Sequence, residues 1–324
     1  MPALTLSCAF ATSEETPEHA RIAEDLGYTR AWFYDSPALY PDVWVQLCRA
    51  AERTSTIGLG PGVLVPSLRH PMVNAAAIAT LAGIAGAERV AVAIGSGFTG
   101  RFTLGQRPMK WSDVTRYVRT LRALLRGEQT EWDGAVLQML QPAGYGAPRP
   151  LAIPIIIAAA GPKGIAAAHE LGDGVFAAPM PIPGFPWSIA LTFGTVLADG
   201  EAPDSPRVLA AAGHAAPVMF HWALENRRLD VVPNGEAWAA AYADVPANAR
   251  HLALHDRHLI AMNERDRPFV TGELMLQNGL ALSAAGWRER IGILQGMGAT
   301  EIAYQPGGPD VAGELERFAA AVRG

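Results

Sequence analysis

The chain has 324 residues, and 50% of them are hydrophobic, which allows a large buried core. This length exceeds the usual size of one domain, although barrels of alternating strands and helices reach it as a single domain. The net charge of -5 argues against a general nucleic-acid binder, which is normally basic.

Cysteine usage and hydropathy restrict the compartment. Cys8 and Cys48 lack the Cys-x-x-Cys spacing of zinc sites, and two cysteines cannot build a disulfide framework. No apolar run approaches the roughly 20 residues that span a bilayer, and the N-terminus lacks a basic region followed by a long apolar core. We therefore expect a soluble, cytoplasmic protein that binds neither nucleic acid nor membrane.

Strands and helices alternate along the chain. Apolar β-compatible runs predict strands at residues 4–10, 30–34, 57–65, 155–158, 174–177, 189–197 and 301–304, and a further strand begins at Val90. Helical spacing of apolar residues predicts helices at 17–26, 43–52, 72–85, 111–126, 164–171, 287–297 and 311–322. A small strand or hairpin is expected at 131–138, and a helix is expected in the proline-rich stretch 179–186 although its sequence has no helical periodicity.

The alternation predicts an α/β fold with a parallel sheet and right-handed crossovers. Eight strands and roughly eight helices close such a sheet into an eight-stranded (β/α) TIM barrel. Residues 205–268 interrupt the pattern with short helices and polar loops. We expect one domain over 1–324, with this insertion before the last strand covering the active face and shaping the substrate pocket.

Two predicted strands end in turns of small residues. The strand from Val90 runs into Gly95-Ser96-Gly97-Phe98-Thr99-Gly100, and its glycines let backbone amides approach a ligand closely. The strand at 155–158 runs into Ala159-Ala160-Gly161-Pro162-Lys163 at the start of a helix. Because a helix N-terminus presents free amides and a positive dipole end, the second turn suits a phosphate.

A basic segment lies between these turns. Residues 101–126 contain seven basic side chains and one acidic side chain, Asp113, in an otherwise acidic chain. One interpretation is a solvated helix face. The other is a local site for the anionic tail of a ligand, with Arg101 at its start.

In barrels of this kind ligands lie at the carboxyl ends of the strands. The residues at those ends are Asp35, Ser36, Gly62, Val63, Ala177, Ala178 and the stretches 95–99, 159–163 and 304–307. They include few acid–base groups. A site that is poor in its own acids and bases indicates that a bound cofactor carries the chemistry.

Four motifs carry a family resemblance. They are Ala23-Glu24-Asp25-Leu26-Gly27-Tyr28; Gly58-Leu59-Gly60-Pro61-Gly62-Val63 followed by Arg69-His70-Pro71; Gly95-Ser96-Gly97-Phe98-Thr99-Gly100-Arg101; and Ala160-Gly161-Pro162-Lys163 followed by Gly172-Asp173-Gly174. In this order they resemble the bacterial luciferase-like superfamily, and within it the methylenetetrahydromethanopterin reductase branch. The resemblance covers residues 1 to about 180 and resumes at about 285.

The resemblance implies an eight-stranded barrel that binds FMN or the deazaflavin coenzyme F420. It implies a cis peptide bond between Gly62 and Val63, behind the flavin ring, with Asp35 near the ring edge. Ser96 and Gly97 would bind the polar linker of the cofactor, and residues 160–163 would hold its phosphate.

Two departures limit what the resemblance transfers. Many deazaflavin enzymes have Asp-His after the second strand, whereas this chain has Asp35-Ser36, so a histidine that could act as acid or base is missing. The methanopterin reductases carry an acid in the first strand, but the first acids here are Glu14 and Glu15, beyond it. The reductase reaction itself therefore does not transfer.

Several histidines are candidates for a metal site or for acid–base chemistry. His251, His255 and His258 would share a helical face, but a pocket or surface role is favoured over a metal site because no supporting ligand pattern accompanies them. His221 and Glu225 share a predicted helical face and form either an acid–base pair or an ordinary surface pair. His70 precedes Pro71 at a helix start, which favours a structural role.

The leading hypothesis is an oxidoreductase that moves a hydride between F420 and a small organic substrate. The basic segment favours F420, whose tail carries several glutamates, over FMN. An FMN-dependent monooxygenase, a non-catalytic flavin-binding protein and a barrel acting on a phosphorylated metabolite are the alternatives. Asp35, Ser36 and His221 are the catalytic candidates, and we expect a homodimer without a metal.

Overall fold

The computed structural model describes residues 4–323. Its strands are β1 (Thr5–Phe10), β2 (Arg30–Phe33), β3 (Gly58–Pro61), β4 (Val92–Gly95), β5 (Thr130–Trp132), β6 (Ala135–Leu137), β7 (Ile155–Ala158), β8 (Gly174–Ala177), β9 (Ser188–Phe193), β10 (Thr195–Val196), β11 (Ala281–Leu282) and β12 (Glu301–Gln305). Its α-helices are α1 (Thr16–Asp25), α2 (Val43–Ala51), α3 (Pro71–Ala85), α4 (Phe98–Phe102), α5 (Trp111–Arg126), α6 (Gly161–Leu171), α7 (Pro206–Ala212), α8 (Pro217–Glu225), α9 (Gly235–Ala240), α10 (Arg250–Leu254), α11 (Gly272–Gln277), α12 (Ala284–Gly296) and α13 (Val311–Arg323).

Eight of these strands form the predicted parallel barrel. Their order is β3-β2-β1-β12-β9-β8-β7-β4, and every neighbouring pair is parallel. Single bridges between Leu59 and Val90 and between Leu64 and Ile94 join the two end strands, so the barrel is nearly closed. The carboxyl ends of all eight strands therefore face one mouth, where barrels of this type hold their ligands.

The apolar runs form strands because helices cover them on the outside and side chains fill the barrel inside. Trp32, Ala93, Ile156, Phe176 and Ala303 belong to one buried cluster within the barrel. Helix α5 has the predicted bounds and buries the apolar face that its sequence predicts. At the start of α3 the ring of His70 accepts a hydrogen bond from the Met72 amide at 3.1 Å, which confirms its structural role.

Three predicted elements need correction. The strand predicted at 57–65 is short, Gly58–Pro61. The strand predicted at 189–197 divides at Gly194, whose φ of +132° breaks the extended path, and β10 then pairs with β11 outside the barrel. The stretch 179–186 contains no helix, because its prolines lack the amide donors that a helix needs.

The segment between β10 and β11 contains five short helices, α7 to α11. It is wider than the predicted 205–268 and has its own buried cluster, which includes Phe220, Trp238, Tyr242 and Met275. Helix α8 and the residues after α10 approach the barrel mouth. Nowhere in 4–323 is there a helix with the length and apolar character needed to cross a membrane.

Candidate active site

A cavity of about 410 Å³ opens at the carboxyl ends of the barrel strands. The predicted site residues that line it are Asp35, Ser36, Gly62, Val63, Gly95, Ser96, Gly97, Ala159, Ala160 and Ala178. Four others, Arg101, Gly161, Pro162 and Lys163, follow lining residues within three positions in the chain but do not line the cavity themselves. His221 also lies outside the lining.

A second cavity, of about 530 Å³, lies away from the mouth, beside β10, α7, α12 and α13. Arg207 and Arg317 border it, but both already pair with Glu314 at 2.9 Å. No barrel strand ends there with a predicted site residue. We therefore assign the candidate site to the smaller cavity, which collects most of the predicted strand-end residues; 161–163 and 304–307 do not line it.

One wall of the mouth cavity consists of small residues, and we call it the strand-end wall: Gly62, Gly95, Ser96, Gly97, Ala158, Ala159, Ala160, Ala177 and Ala178. Gly62 packs so closely on the barrel interior that a Cβ there would lie 2.8 Å from Cβ of Trp32. The Gly62–Val63 peptide bond is cis, as the resemblance predicts. The wall therefore presents backbone and methyl groups in place of long side chains.

The turn after β4 needs glycine at one position. Gly97 has a φ of +85°, and a Cβ there would lie 2.5 Å from Cγ1 of Val65. A side chain is disfavoured at this position on both grounds. The carbonyl of Ser96 accepts a hydrogen bond from the Met109 amide at 2.8 Å, which ties the basic segment to this turn.

Asp35 is buried at the cavity and is bound by a cation. Arg69 Nη1 donates to both carboxylate oxygens, at 2.8 and 2.7 Å, and Arg69 Nη2 donates to Asp42 at 2.8 Å. Burial raises the pKa of the Asp35 carboxyl, and Arg69 opposes that rise. The carboxylate is thus committed to an ion pair, which is a poor arrangement for a free acid or base.

A second part of the lining is apolar, and we call it the apolar wall: Leu191 and Phe193 from β9, Val218 and Trp222 from α8, and Leu259. No motif in the sequence pointed to these residues. Their only signal was that β9 ends near them and that the insertion was expected to cover the mouth.

Three ionisable side chains border the apolar wall: Tyr34, Tyr40 and His258. The Tyr34 hydroxyl donates to Gln305 Oε1 at 2.9 Å, and the Tyr40 hydroxyl donates to the His258 carbonyl at 2.9 Å. His258 Nε2 lies 3.3 Å from the Thr99 hydroxyl. Sequence reasoning missed both tyrosines, although Tyr34 directly follows the second strand.

The histidines group differently from the predicted helical face. Helix α10 ends at Leu254, so His255 and His258 lie beyond it, and the ring of His221 replaces His251 beside them. The centroids of His221, His255 and His258 lie 5.0 to 5.2 Å apart. Among residues 4–323 no three His, Cys, Asp or Glu side chains are placed to hold a metal ion.

Burial keeps these imidazoles neutral. Burial, together with the neighbouring histidines, lowers the pKa of His221 to about 3 and that of His258 well below its usual value. Neither ring nitrogen of His221 has a hydrogen-bond partner in the described chain. His221 therefore does not pair with Glu225.

The basic segment divides into two parts. Arg116, Arg119, Arg122 and Arg126 form ion pairs with Asp133, Glu170, Asp173 and Glu128, respectively. By contrast, Arg101, Arg107 and Lys110 have no ion-pair partner within 4–323; we call these three the rim cations. Arg101 instead donates to the Ser67 hydroxyl at 2.6 Å, and Lys110 precedes Trp111, which lines the cavity.

The family model described as luciferase-like monooxygenase matches residues 7–216, which is more than half of the chain. The chain belongs to the luciferase-like monooxygenase family. This confirms the resemblance read from the four motifs.

Two curated relatives of this luciferase-like chain are named for reactions other than monooxygenation. A 5,10-methylenetetrahydromethanopterin reductase of Archaeoglobus fulgidus is 34% identical over 165 residues, which are 50% of this chain and 48% of the relative. An F420-dependent glucose-6-phosphate dehydrogenase of Beutenbergia cavernae is 35% identical over 149 residues, 43% of this chain and 41% of the relative. The matches thus span about half of each relative or less.

A solved structure shares the fold of this luciferase-like chain over nearly its whole length. The coenzyme F420-dependent tetrahydromethanopterin reductase from Methanopyrus kandleri has a TM-score of 0.68, at 18% identity, and covers 99% of this chain and 98% of its own. At that identity the likeness establishes the TIM-barrel fold alone.

Proposed function

We propose that the protein is an oxidoreductase that transfers a hydride between coenzyme F420 and a small organic substrate in the mouth cavity. The observation that carries the proposal is the position of the rim cations, Arg101, Arg107 and Lys110, in the segment that the Met109 amide ties to Ser96 of the strand-end wall. The F420 dependence named for the two kinds of relative adds support. The deazaflavin, when bound, supplies the hydride chemistry.

The cavity suits a flat ring with an anionic tail. The strand-end wall has no long side chain that would occupy the place of a ring. The first turn of α6 starts at Gly161, where no side chain caps the helix, so its amides are free to bind a phosphate. The rim cations would attract the carboxylates of the tail.

The chain's own residues would act by positioning. With cofactor and substrate bound, the apolar wall and the tyrosines beside it would exclude water from the site, and a dry cavity strengthens every electrostatic interaction within it. Arg69 holds Asp35 at the cavity edge, so we assign Asp35 an orienting role. Ser36 also lines the cavity, and we keep it as a candidate for proton exchange.

An FMN-dependent monooxygenase is the second candidate. The family description favours it, and the α6 turn alone provides the single phosphate site that FMN requires. FMN has no polyanionic tail, so this candidate leaves the rim cations without a role.

Titration of the purified protein with F420 and with FMN, followed by cofactor fluorescence, separates the two candidates. At low salt we expect F420 to bind more tightly than FMN, with one F420 per chain. The bound F420 should be reversibly reduced and reoxidised. Tighter binding of FMN would replace the proposal with the monooxygenase. If neither cofactor binds, both proposals fail.

A further inference from the structure

The charges around the mouth cavity are unevenly placed. Among residues 4–323, apart from the tyrosines, the cavity lining contains only two ionisable residues, Asp35 and His258, and it contains no lysine or arginine. Asp35 is paired with Arg69 at 2.7 Å, and burial lowers the pKa of His258 so that its ring is neutral near pH 7. The rim cations adjoin the strand-end wall in sequence and do not line the cavity themselves.

An anionic group on the apolar wall would therefore have no cation to pair with. A phosphate or carboxylate that binds there would lose its hydration without compensation, which is strongly unfavourable in an apolar environment. Asp35 would also repel it. The lining therefore disfavours anionic substrates, because it offers no cation to pair with them.

Hydrogen-bonding capacity on this side is also small. The hydroxyls of Tyr34 and Tyr40 already donate to Gln305 Oε1 and to the His258 carbonyl, each at 2.9 Å. A sugar or another polyhydroxylated molecule would lose hydrogen bonds to water and find few replacements. Trp222, 48% exposed, extends the apolar surface outward to the rim.

We propose that the substrate is an uncharged, predominantly apolar organic molecule that packs on the apolar wall, Leu191, Phe193, Val218, Trp222 and Leu259, and carries at most a few polar groups. The inference rests on the proposed function only in assigning the strand-end wall to the cofactor. It sets the chain apart from the relative named for glucose 6-phosphate, a charged sugar.

The test uses a matched pair of probes, acetophenone and 4-acetylbenzoate, which differ by one carboxylate, with glucose 6-phosphate as a third probe. Binding is measured by saturation-transfer NMR and by tryptophan fluorescence, on the protein alone and with saturating F420 or FMN. We expect acetophenone to bind at least about tenfold more tightly than 4-acetylbenzoate because the carboxylate has no partner. Glucose 6-phosphate should not compete with acetophenone.

A charge introduced into the apolar wall should reverse this preference. Val218→Lys places an ammonium in the lining, and 4-acetylbenzoate should then bind more tightly than acetophenone. Val231→Lys is the matched control, because Val231 lies in the same insertion and is 47% exposed outside the cavity. The control variant should keep the preference of the natural chain.

The inference is overturned if 4-acetylbenzoate or glucose 6-phosphate binds the natural chain as tightly as acetophenone, or if acetophenone does not bind in any cofactor state. It is also overturned if both lysine variants behave alike. Because the probes are measured without cofactor as well, failure of both cofactors to bind would refute the proposed function and leave the probe result to decide the inference.

Discussion

Arg69 Nη1 bridges both carboxylate oxygens of Asp35, at 2.8 and 2.7 Å, on the edge of the mouth cavity. The Asp35 side chain is 1% exposed and that of Arg69 is 14% exposed, so water screens this pair little. Arg69 reaches on to Asp42, which caps helix α2 through the Trp44 amide at 2.9 Å. One guanidinium thus links the candidate site to a helix of the barrel wall.

Removal of the cation should destabilise the fold. Arg69→Met leaves the Asp35 carboxylate buried without a partner, and we expect the free energy of unfolding to fall by about 3–5 kcal/mol. Asp35→Asn in the same chain should recover part of that loss, because the uncompensated charge is removed. Urea unfolding at pH 7 compares both variants with the natural chain.

The matched control is Arg116→Met. Arg116 pairs with Asp133 on the surface, with the two side chains 53% and 68% exposed, and such a pair contributes about 1 kcal/mol or less. If Arg69→Met cost no more than this control, the Asp35–Arg69 pair would not be a structural element of the site.

A bulky residue in the strand-end wall should block the cofactor. Ser96→Leu places a branched side chain where the turn faces the cavity, so we expect cofactor binding to be lost. Stability should change by less than about 1 kcal/mol, because Ser96 is not part of the buried core. Ser55→Leu, at an exposed serine before β3, is the control and should bind cofactor normally. Unchanged affinity in Ser96→Leu would show that the turn is only structural.

The buried histidines predict a loss of stability in mild acid. Burial lowers the pKa of His214 to about 4 and that of His221 to about 3. The unfolded chain binds protons at these residues near pH 6.5, whereas the folded chain does not until lower pH, so stability falls as pH falls from about 6.5 towards 4. Each histidine contributes a slope of about 1.4 kcal/mol per pH unit in that range.

Urea unfolding between pH 7 and 4.5 measures this slope. His221→Phe keeps an aromatic ring against His255 and His258 but removes one titrating group. The dependence of the unfolding free energy on pH should therefore become shallower by the contribution of one histidine, about 1.4 kcal/mol per pH unit. A variant with the slope of the natural chain would show that His221 is protonated in the folded state.

Much of the barrel could be predicted from the sequence because its determinants are local. Strands covered on both faces form apolar runs, and a run such as Ile155–Ala158 that ends in small residues marks the mouth of the barrel. The turns of small residues after these strands predicted the strand-end wall. The division of the seventh predicted strand at Gly194 did not follow, since a single residue with positive φ leaves no periodic signal.

The apolar wall and the polar groups beside it could not be predicted because distant parts of the chain build them. Tyr34 meets Gln305 across 271 residues, and Thr99 meets His258 across 159. The same reason explains the basic segment. Its sequence has seven cations, but only the folded chain shows which are paired. Glu170 on α6 pairs with Arg119, and Asp173 just after α6 pairs with Arg122.

The rim cations lead to a prediction about which cofactor binds. Each exposed contact between a cation and a carboxylate of an F420 tail contributes ~0.2–1 kcal/mol and is screened by salt. F420 affinity should therefore fall as salt rises from low to near-molar concentration. Arg107→Ala together with Lys110→Ala should flatten that dependence and leave FMN binding unchanged, because FMN has no tail to reach these exposed residues.

The control is the pair Arg119→Ala and Arg126→Ala on α5, which removes the same number of cations from residues already paired with Glu170 and Glu128. This variant should retain the salt dependence of the natural chain, since its cations are not free to meet a tail. Cofactor fluorescence titrations at several salt concentrations give the comparison. If both double variants flatten the salt dependence equally, the total charge of the chain explains it and the rim cations do not. If FMN binds more tightly than F420 at low salt and neither double variant changes the affinity, the cofactor is FMN. The monooxygenase then replaces the F420 enzyme as the proposed function.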